Sequence, residues 1–136
     1  LGAQLALPEQ TVVAVVGDGG FQMTNQELIT AIQYNIPLKV LIMNNGYLGM
    51  VRQWQEMFYD RAYSEVDLSI SPDFVKLAEA YGAQGLRATT PAELTSALRQ
   101  GLEHKGVTVW DSVVTKEENV FPIIPAGQDT RNMILK

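Results

Sequence analysis

Thr11-Val12-Val13-Ala14-Val15-Val16-Gly17-Asp18-Gly19-Gly20 is the stretch that decides how this chain folds. Its first six residues are β-branched or small, with no polar alternation, the pattern of a strand covered on both faces. The run stops at glycines that surround one aspartate. A second apolar run, Leu38 to Met43, stops at Asn44-Asn45. Asp18 and Asn45 lie 27 positions apart, so a carboxylate and a carboxamide each close a predicted strand. In an open parallel sheet both would stand at the carboxyl edge, where such sheets bind ligands.

Working outward, Thr24-Asn25-Gln26-Glu27 fits a capping box, which predicts a helix from Thr24 to about Asn35, ended by Ile36-Pro37. A second helix is predicted over Gly49 to Phe58. Tyr59 to Ser71 has no period and reads as a long surface loop, of the kind that often covers a site. Ser71 as cap and Pro72 at the first helical position predict a helix to Tyr81, halted by Gly82. Gln84 to Ala88 is a short third strand. Thr90-Pro91-Ala92-Glu93 is another capping box, opening a helix to about Lys105, and Val107 to Val114 is the fourth strand. Residues 1–118 thus read as one α/β domain, and 119–136 as a tail carrying Pro122, Pro125 and Gly127. Alternating strands and helices imply right-handed crossovers and a doubly wound, mainly parallel sheet with helices on both faces.

Composition removes several chemistries. The chain has 136 residues and no cysteine, so disulfides, thiolate metal sites and cysteine nucleophiles are excluded. A net charge of −5 without a Lys/Arg cluster argues against nucleic acid as partner. No apolar run approaches the roughly 18 residues that cross a membrane. The lone His104 precedes Lys105-Gly106 and reads as a cation at a helix C-terminus, which leaves no basis for a Ser-His-Asp triad. Leu1 to Leu7, before Pro8, lacks a basic signal-peptide start and reads as the last turns of a helix, so the chain is expected to be a fragment of something longer.

Gly-Asp-Gly alone is what any tight strand-to-helix turn prefers. Gly17, Gly19 and Gly20, however, leave the backbone bare just ahead of a helix whose amides could face an anion. An anion there would repel Asp18 unless a cation bridged the two. Mg²⁺ suits such a bridge, taking about six oxygens with only one or two from side chains. Asn45 can add a neutral oxygen, and the Gly46-Tyr47 turn a carbonyl. The pair therefore points to a metal–diphosphate site.

Gly-Asp-Gly followed by an apolar strand ending in Asn-Asn resembles the thiamine diphosphate motif of 2-oxo-acid decarboxylases, carboligases and oxidases. Asn44 through Gln55, Pro72 through Ala80, and Phe121 through Gly127 resemble the acetolactate (acetohydroxyacid) synthase large catalytic subunit, in its C-terminal diphosphate-binding domain. That resemblance implies Asp18 and Asn45 as side-chain ligands of Mg²⁺, with Tyr47 offering its carbonyl. It implies Gly19 and Gly20 on the diphosphate, and Leu48, Gly49 and Met50 lining the cofactor. Val51 and Trp54 would line a substrate channel, Trp54 favouring the larger 2-oxobutyrate as acceptor. By spacing alone, Trp54 with Met50, Met57 and Phe58 reads as a core stripe. Arg52 reads as a solvated surface arginine or a substrate contact.

The resemblance further implies condensation of pyruvate with a second 2-oxo acid, with loss of carbon dioxide, giving 2-acetolactate or 2-aceto-2-hydroxybutyrate for branched-chain amino-acid synthesis. The activating glutamate and the FAD site would lie in domains absent from this chain, contributed in part by a second subunit of a homo-oligomer. Glu27 is assigned to its capping box instead, and no catalytic group is expected among these residues. The isolated chain is expected to be inactive. A small regulatory subunit and a cytoplasmic, plastid or mitochondrial location follow from the same resemblance. Another thiamine diphosphate enzyme, of pyruvate oxidase or glyoxylate carboligase type, and a non-catalytic nucleotide-binding module are the alternatives. The latter lacks a Gly-x-Gly-x-x-Gly fingerprint.

Overall fold

The computed structural model describes Leu1–Lys136. Four strands, β1 (Val13–Gly17), β2 (Lys39–Asn44), β3 (Gln84–Ala88) and β4 (Thr108–Val113), form one sheet in the order β1-β2-β4-β3. Every neighbouring pair is parallel, and Gly17, Met43 and Ser112 are level in the register. The carboxyl ends of the first two strands are therefore side by side. The helices are α1 (Gly2–Ala6), α2 (Asp18–Thr24), α3 (Glu27–Gln33), α4 (Gly49–Phe58), α5 (Phe74–Ala80) and α6 (Pro91–Glu103).

Because side chains alternate along a strand, Val109 and Trp110 point to opposite faces. On one face Val40, Ile42 and Val109 meet Phe21, Leu28, Ala31, Phe74 and Ala78 from α2, α3 and α5. The Phe21 and Phe74 rings pack edge to face at 5.6 Å. On the other face α6 covers β3 and β4, and the buried Trp110 indole donates to the Ala97 carbonyl at 2.7 Å. The first run departs from its predicted double burial. β1 is an edge strand, and Val15 is 63% exposed, since α6 lies two strands away. The strand buried on both faces is β4.

Two of the three predicted caps differ. The first helix begins at Asp18, not Thr24, so Thr24 ends α2 and Glu27 opens α3 without a side-chain cap. Phe21, buried against Phe74, pulls the glycine-rich segment into a helix that leaves the Thr24 amide region already wound. Ser71 is not a cap either; its hydroxyl donates to the Leu68 carbonyl at 2.5 Å. Asp73 caps α5, accepting from the amides of Val75 and Lys76. Those amide bonds, foremost that of Lys76, hold its carboxyl below the usual range, and Arg87 adds to the effect. The Thr90 box forms as predicted, Glu93 donating its amide to Thr90 and accepting from the Thr89 and Thr90 amides.

His104 does stand at the end of α6, but the cation on its carbonyl is Lys39. That ammonium, buried at the start of β2, donates to the carbonyls of His104 (2.6 Å) and Gly106 (2.8 Å) and to the Thr108 hydroxyl (3.2 Å). Burial pushes its pKa below the ordinary lysine value.

Candidate functional site

Asp18 sits where β1 becomes α2, and it is 1% exposed. Its two oxygens accept the amides of Gly19 at 2.9 Å and Gly46 at 2.8 Å. It forms no ion pair with any side chain. A carboxylate removed from water normally finds a cation. The Gly46 bond joins the end of β1 to the turn after β2, where Gly46 needs its φ of 68° to present that amide.

Beyond Gly46 the turn is narrow. Asn45 accepts the Tyr47 amide on its side-chain oxygen at 3.1 Å. A Cβ at Gly49 would lie 3.0 Å from the Asn45 side-chain nitrogen, so the absent side chain leaves room for the carboxamide. The Tyr47 carbonyl accepts no hydrogen bond from the protein. A Cβ at Gly19 would lie 2.5 Å from a Leu48 methyl and 3.0 Å from one of Leu68, whereas at Gly20 it would meet open space. Gly19 thus sits tight against the Leu48 and Leu68 methyls, and Gly20 leaves the backbone approachable from outside.

The donor set is one carboxylate, one carboxamide oxygen and one free carbonyl. No cluster of three or more His, Cys, Asp or Glu exists that could hold a metal alone. Such a set fits a hard divalent cation that draws its other oxygens from a bound ligand and water.

Met50, Val51 and Trp54 lie on one side of α4 and line an open groove of about 530 Å³ with Gln55, Tyr59 and Ala62. Trp54 meets Phe58 edge to face at 5.4 Å and is only half-buried, so the stripe is a groove wall, not core. The groove shares no lining residue with the Asp18–Asn45 junction; Leu48 and Gly49 connect the two.

The sequence reasoning missed several residues. Asn44 donates to the buried Asp111 at 2.9 Å, and Arg87 bonds Asp111 at 2.9 Å and Asp73 at 2.9 Å. Asp111 and Asp73 together raise the Arg87 pKa, the Asp111 hydrogen bond most. This network anchors the first Asn of the pair across β4 and β3. An acidic residue inside an apolar strand was the available signal. Arg52, read as a surface arginine, is 5% exposed. It pairs with Glu56 at 2.9 Å, donates to Asn119 at 3.1 Å and does not reach the groove. Beside it, Gln53 holds the Val120 amide and carbonyl, tying the tail to α4.

The loop after α4 is tied down as well. Leu48 donates its amide to Val66, Leu68 donates to Gly46, and Tyr47 and Asp67 form an antiparallel bridge.

A family model described as "Thiamine pyrophosphate enzyme, C-terminal TPP binding domain" matches residues 1–112. The acetolactate synthase large subunit of Haemophilus influenzae is 46% identical over 136 residues, covering 99% of this chain and 24% of that protein. The acetolactate synthase isozyme 3 large subunit of Escherichia coli is 48% identical over 126 residues, covering 90% and 22%. Among solved structures, the Rhodococcus jostii thiamine diphosphate-dependent 4-hydroxybenzoylformate decarboxylase superposes with a TM-score of 0.78 at 33% identity, over 86% of this chain and 22% of that one. The chain spans about a quarter of the length of the curated relatives it matches.

Proposed function

We propose that this chain, which belongs to the thiamine pyrophosphate enzyme family as its C-terminal TPP binding domain, is the part of an acetolactate synthase large subunit that holds the cofactor's diphosphate and its cation. The observation that carries this reading is the buried Asp18 carboxylate, paired with no basic side chain and joined to the Asn45–Tyr47 turn through Gly46. The identities of 46% and 48% to acetolactate synthase large subunits support the choice within the family.

In this reading Asp18, the Asn45 side-chain oxygen and the Tyr47 carbonyl hold Mg²⁺, which neutralises the diphosphate against Asp18. Gly20 admits the diphosphate to the backbone, while Gly19, its amide held by Asp18, shapes the turn beneath it. Leu48, Gly49 and Met50 border the rest of the cofactor. Thiamine diphosphate supplies, when bound, the electron sink that lets a 2-oxo acid lose carbon dioxide and pass on its remaining acyl carbon. The residues of this chain bind and orient; Val51 and Trp54 present an apolar wall that suits the alkyl group of an acceptor 2-oxo acid. Glu27 is exposed and assigned no role in proton transfer. FAD, a homo-oligomer whose active site spans two subunits, and a small regulatory partner belong to the proposed whole enzyme.

The test is product analysis of the intact protein with pyruvate, thiamine diphosphate and Mg²⁺. Acetolactate is expected, with 2-aceto-2-hydroxybutyrate when 2-oxobutyrate is added. Acetaldehyde or acetyl phosphate in its place would move the chain to another branch of the family.

A further inference from the structure

Arg52 lies one residue after the groove-lining Val51, yet its side chain points the other way, into a cluster built from four separate segments. Its guanidinium carbon is 5.8 Å from the Tyr47 ring centre and 5.5 Å from that of Tyr63, within the range of cation–π attraction to both. Glu56 of α4 pairs with it and also accepts from Asn119, which in turn accepts from Arg52. One buried cation therefore touches the metal-ligand turn, the following loop, the helix and the tail. Tyr47 is the meeting point. Its amide is held by Asn45, its backbone bridges Asp67, its ring lies against Arg52, and its carbonyl is free.

We propose that Arg52 is a positioning residue for the divalent cation: gripped between Tyr47 and Tyr63, it fixes the turn so that the Tyr47 carbonyl is aimed before the cation arrives. This rests on the proposed cation site at Asp18, Asn45 and Tyr47. Pre-organisation of that kind appears in cation affinity, since an unaimed carbonyl must be ordered during binding. A planar guanidinium can stack on both rings while its edges bond Glu56 and Asn119; an ammonium cannot. Lysine at 52 is thus expected to keep the charge and lose most of the effect. Tyr63, 47% exposed, offers a milder variant that removes one ring and leaves the Arg52–Glu56 pair in place.

The experiment is calorimetric titration of Mg²⁺ into the intact protein in a fixed excess of thiamine diphosphate, corrected for Mg²⁺ binding to the free cofactor, for wild type, Arg52→Lys, Arg52→Gln and Tyr63→Leu, with urea midpoints measured alongside. The Mg²⁺ dissociation constant is expected to rise about tenfold in both Arg52 variants and about threefold in Tyr63→Leu. The combined Arg52→Gln/Tyr63→Leu protein should be no weaker than Arg52→Gln alone, because both act through one contact. Wild-type Mg²⁺ affinity in Tyr63→Leu and in whichever Arg52 variants fold, with only the urea midpoint lowered, would reduce Arg52 to a tether and overturn the proposal. Thiamine diphosphate binding to wild type that needs no divalent cation would overturn the cation site itself, and the proposal with it.

Discussion

Asp18→Asn separates the structural part of the site from its proposed cation-binding part. The carboxylate accepts two amides, Gly19 at 2.9 Å and Gly46 at 2.8 Å, one on each oxygen. Asparagine offers one oxygen and one NH₂, so one of those amides must face another donor. A hydrogen bond to a charged group contributes about 1.5–3 kcal/mol net, and a stranded buried donor costs about 1–3 kcal/mol. Removing a charge that is 1% exposed and unpaired offsets part of this. The cation-free variant should therefore be less stable by about 1–2 kcal/mol. With Mg²⁺ and thiamine diphosphate at a hundred times the dissociation constant, wild type should gain about 2.7 kcal/mol, and Asp18→Asn close to nothing. Denaturation of the intact protein with and without both ligands reads the two quantities separately. A variant that keeps the full ligand-induced gain would refute Asp18 as the cation's carboxylate.

Trp54→Leu opens the groove beside Met50 and Val51 and should lower the preference for 2-oxobutyrate over pyruvate; an unchanged product ratio in a competition assay would leave Trp54 without a role in acceptor choice. Gly101→Ala places a Cβ into the Trp110 indole, whose NH is committed to Ala97, and should destabilise by about 1–3 kcal/mol, read by urea denaturation. Asp73, the cap of α5, and Glu93, the reciprocal partner in the Thr90 capping box of α6, both have pKa values lowered chiefly by backbone amides, those of Lys76 and Thr89. Since the folded values are depressed, their stabilisation is present above the ordinary carboxylate range and is lost as pH falls through the folded values. Acid titration followed by circular dichroism should show Asp73→Ala with a smaller loss of stability across that window than wild type.

Local chemistry was legible in the sequence where it was also sufficient. Thr90 and Glu93 form their box because a Pro at the first helical position and two short-range bonds decide it. Gly49–Phe58 is helical, with its groove residues on one side, as its spacing implies. Thr24 and Glu27 had the same pattern and failed, because Phe21 is anchored in the core and the chain is wound from Asp18 onward. The double burial expected of β1 depended on its position in the sheet, which its own residues do not encode. Lys39 inside an apolar run makes sense only once the end of α6 arrives above it. Arg52 looked solvated because the partners that bury it, Tyr63 and Asn119, come from the following loop and the tail. In the site, Asp18 and Asn45 were visible as types and spacing, while Gly46, which joins them, looked like ordinary turn glycine.

The most direct measurement is titration of thiamine diphosphate into the intact protein with Mg²⁺ and again in chelator. The site described here predicts one cofactor per chain in the presence of Mg²⁺ and loss of nearly all affinity in chelator, because Asp18 then repels the diphosphate. Equal affinity under both conditions would contradict the assignment of Asp18, Asn45 and Tyr47 to a shared cation.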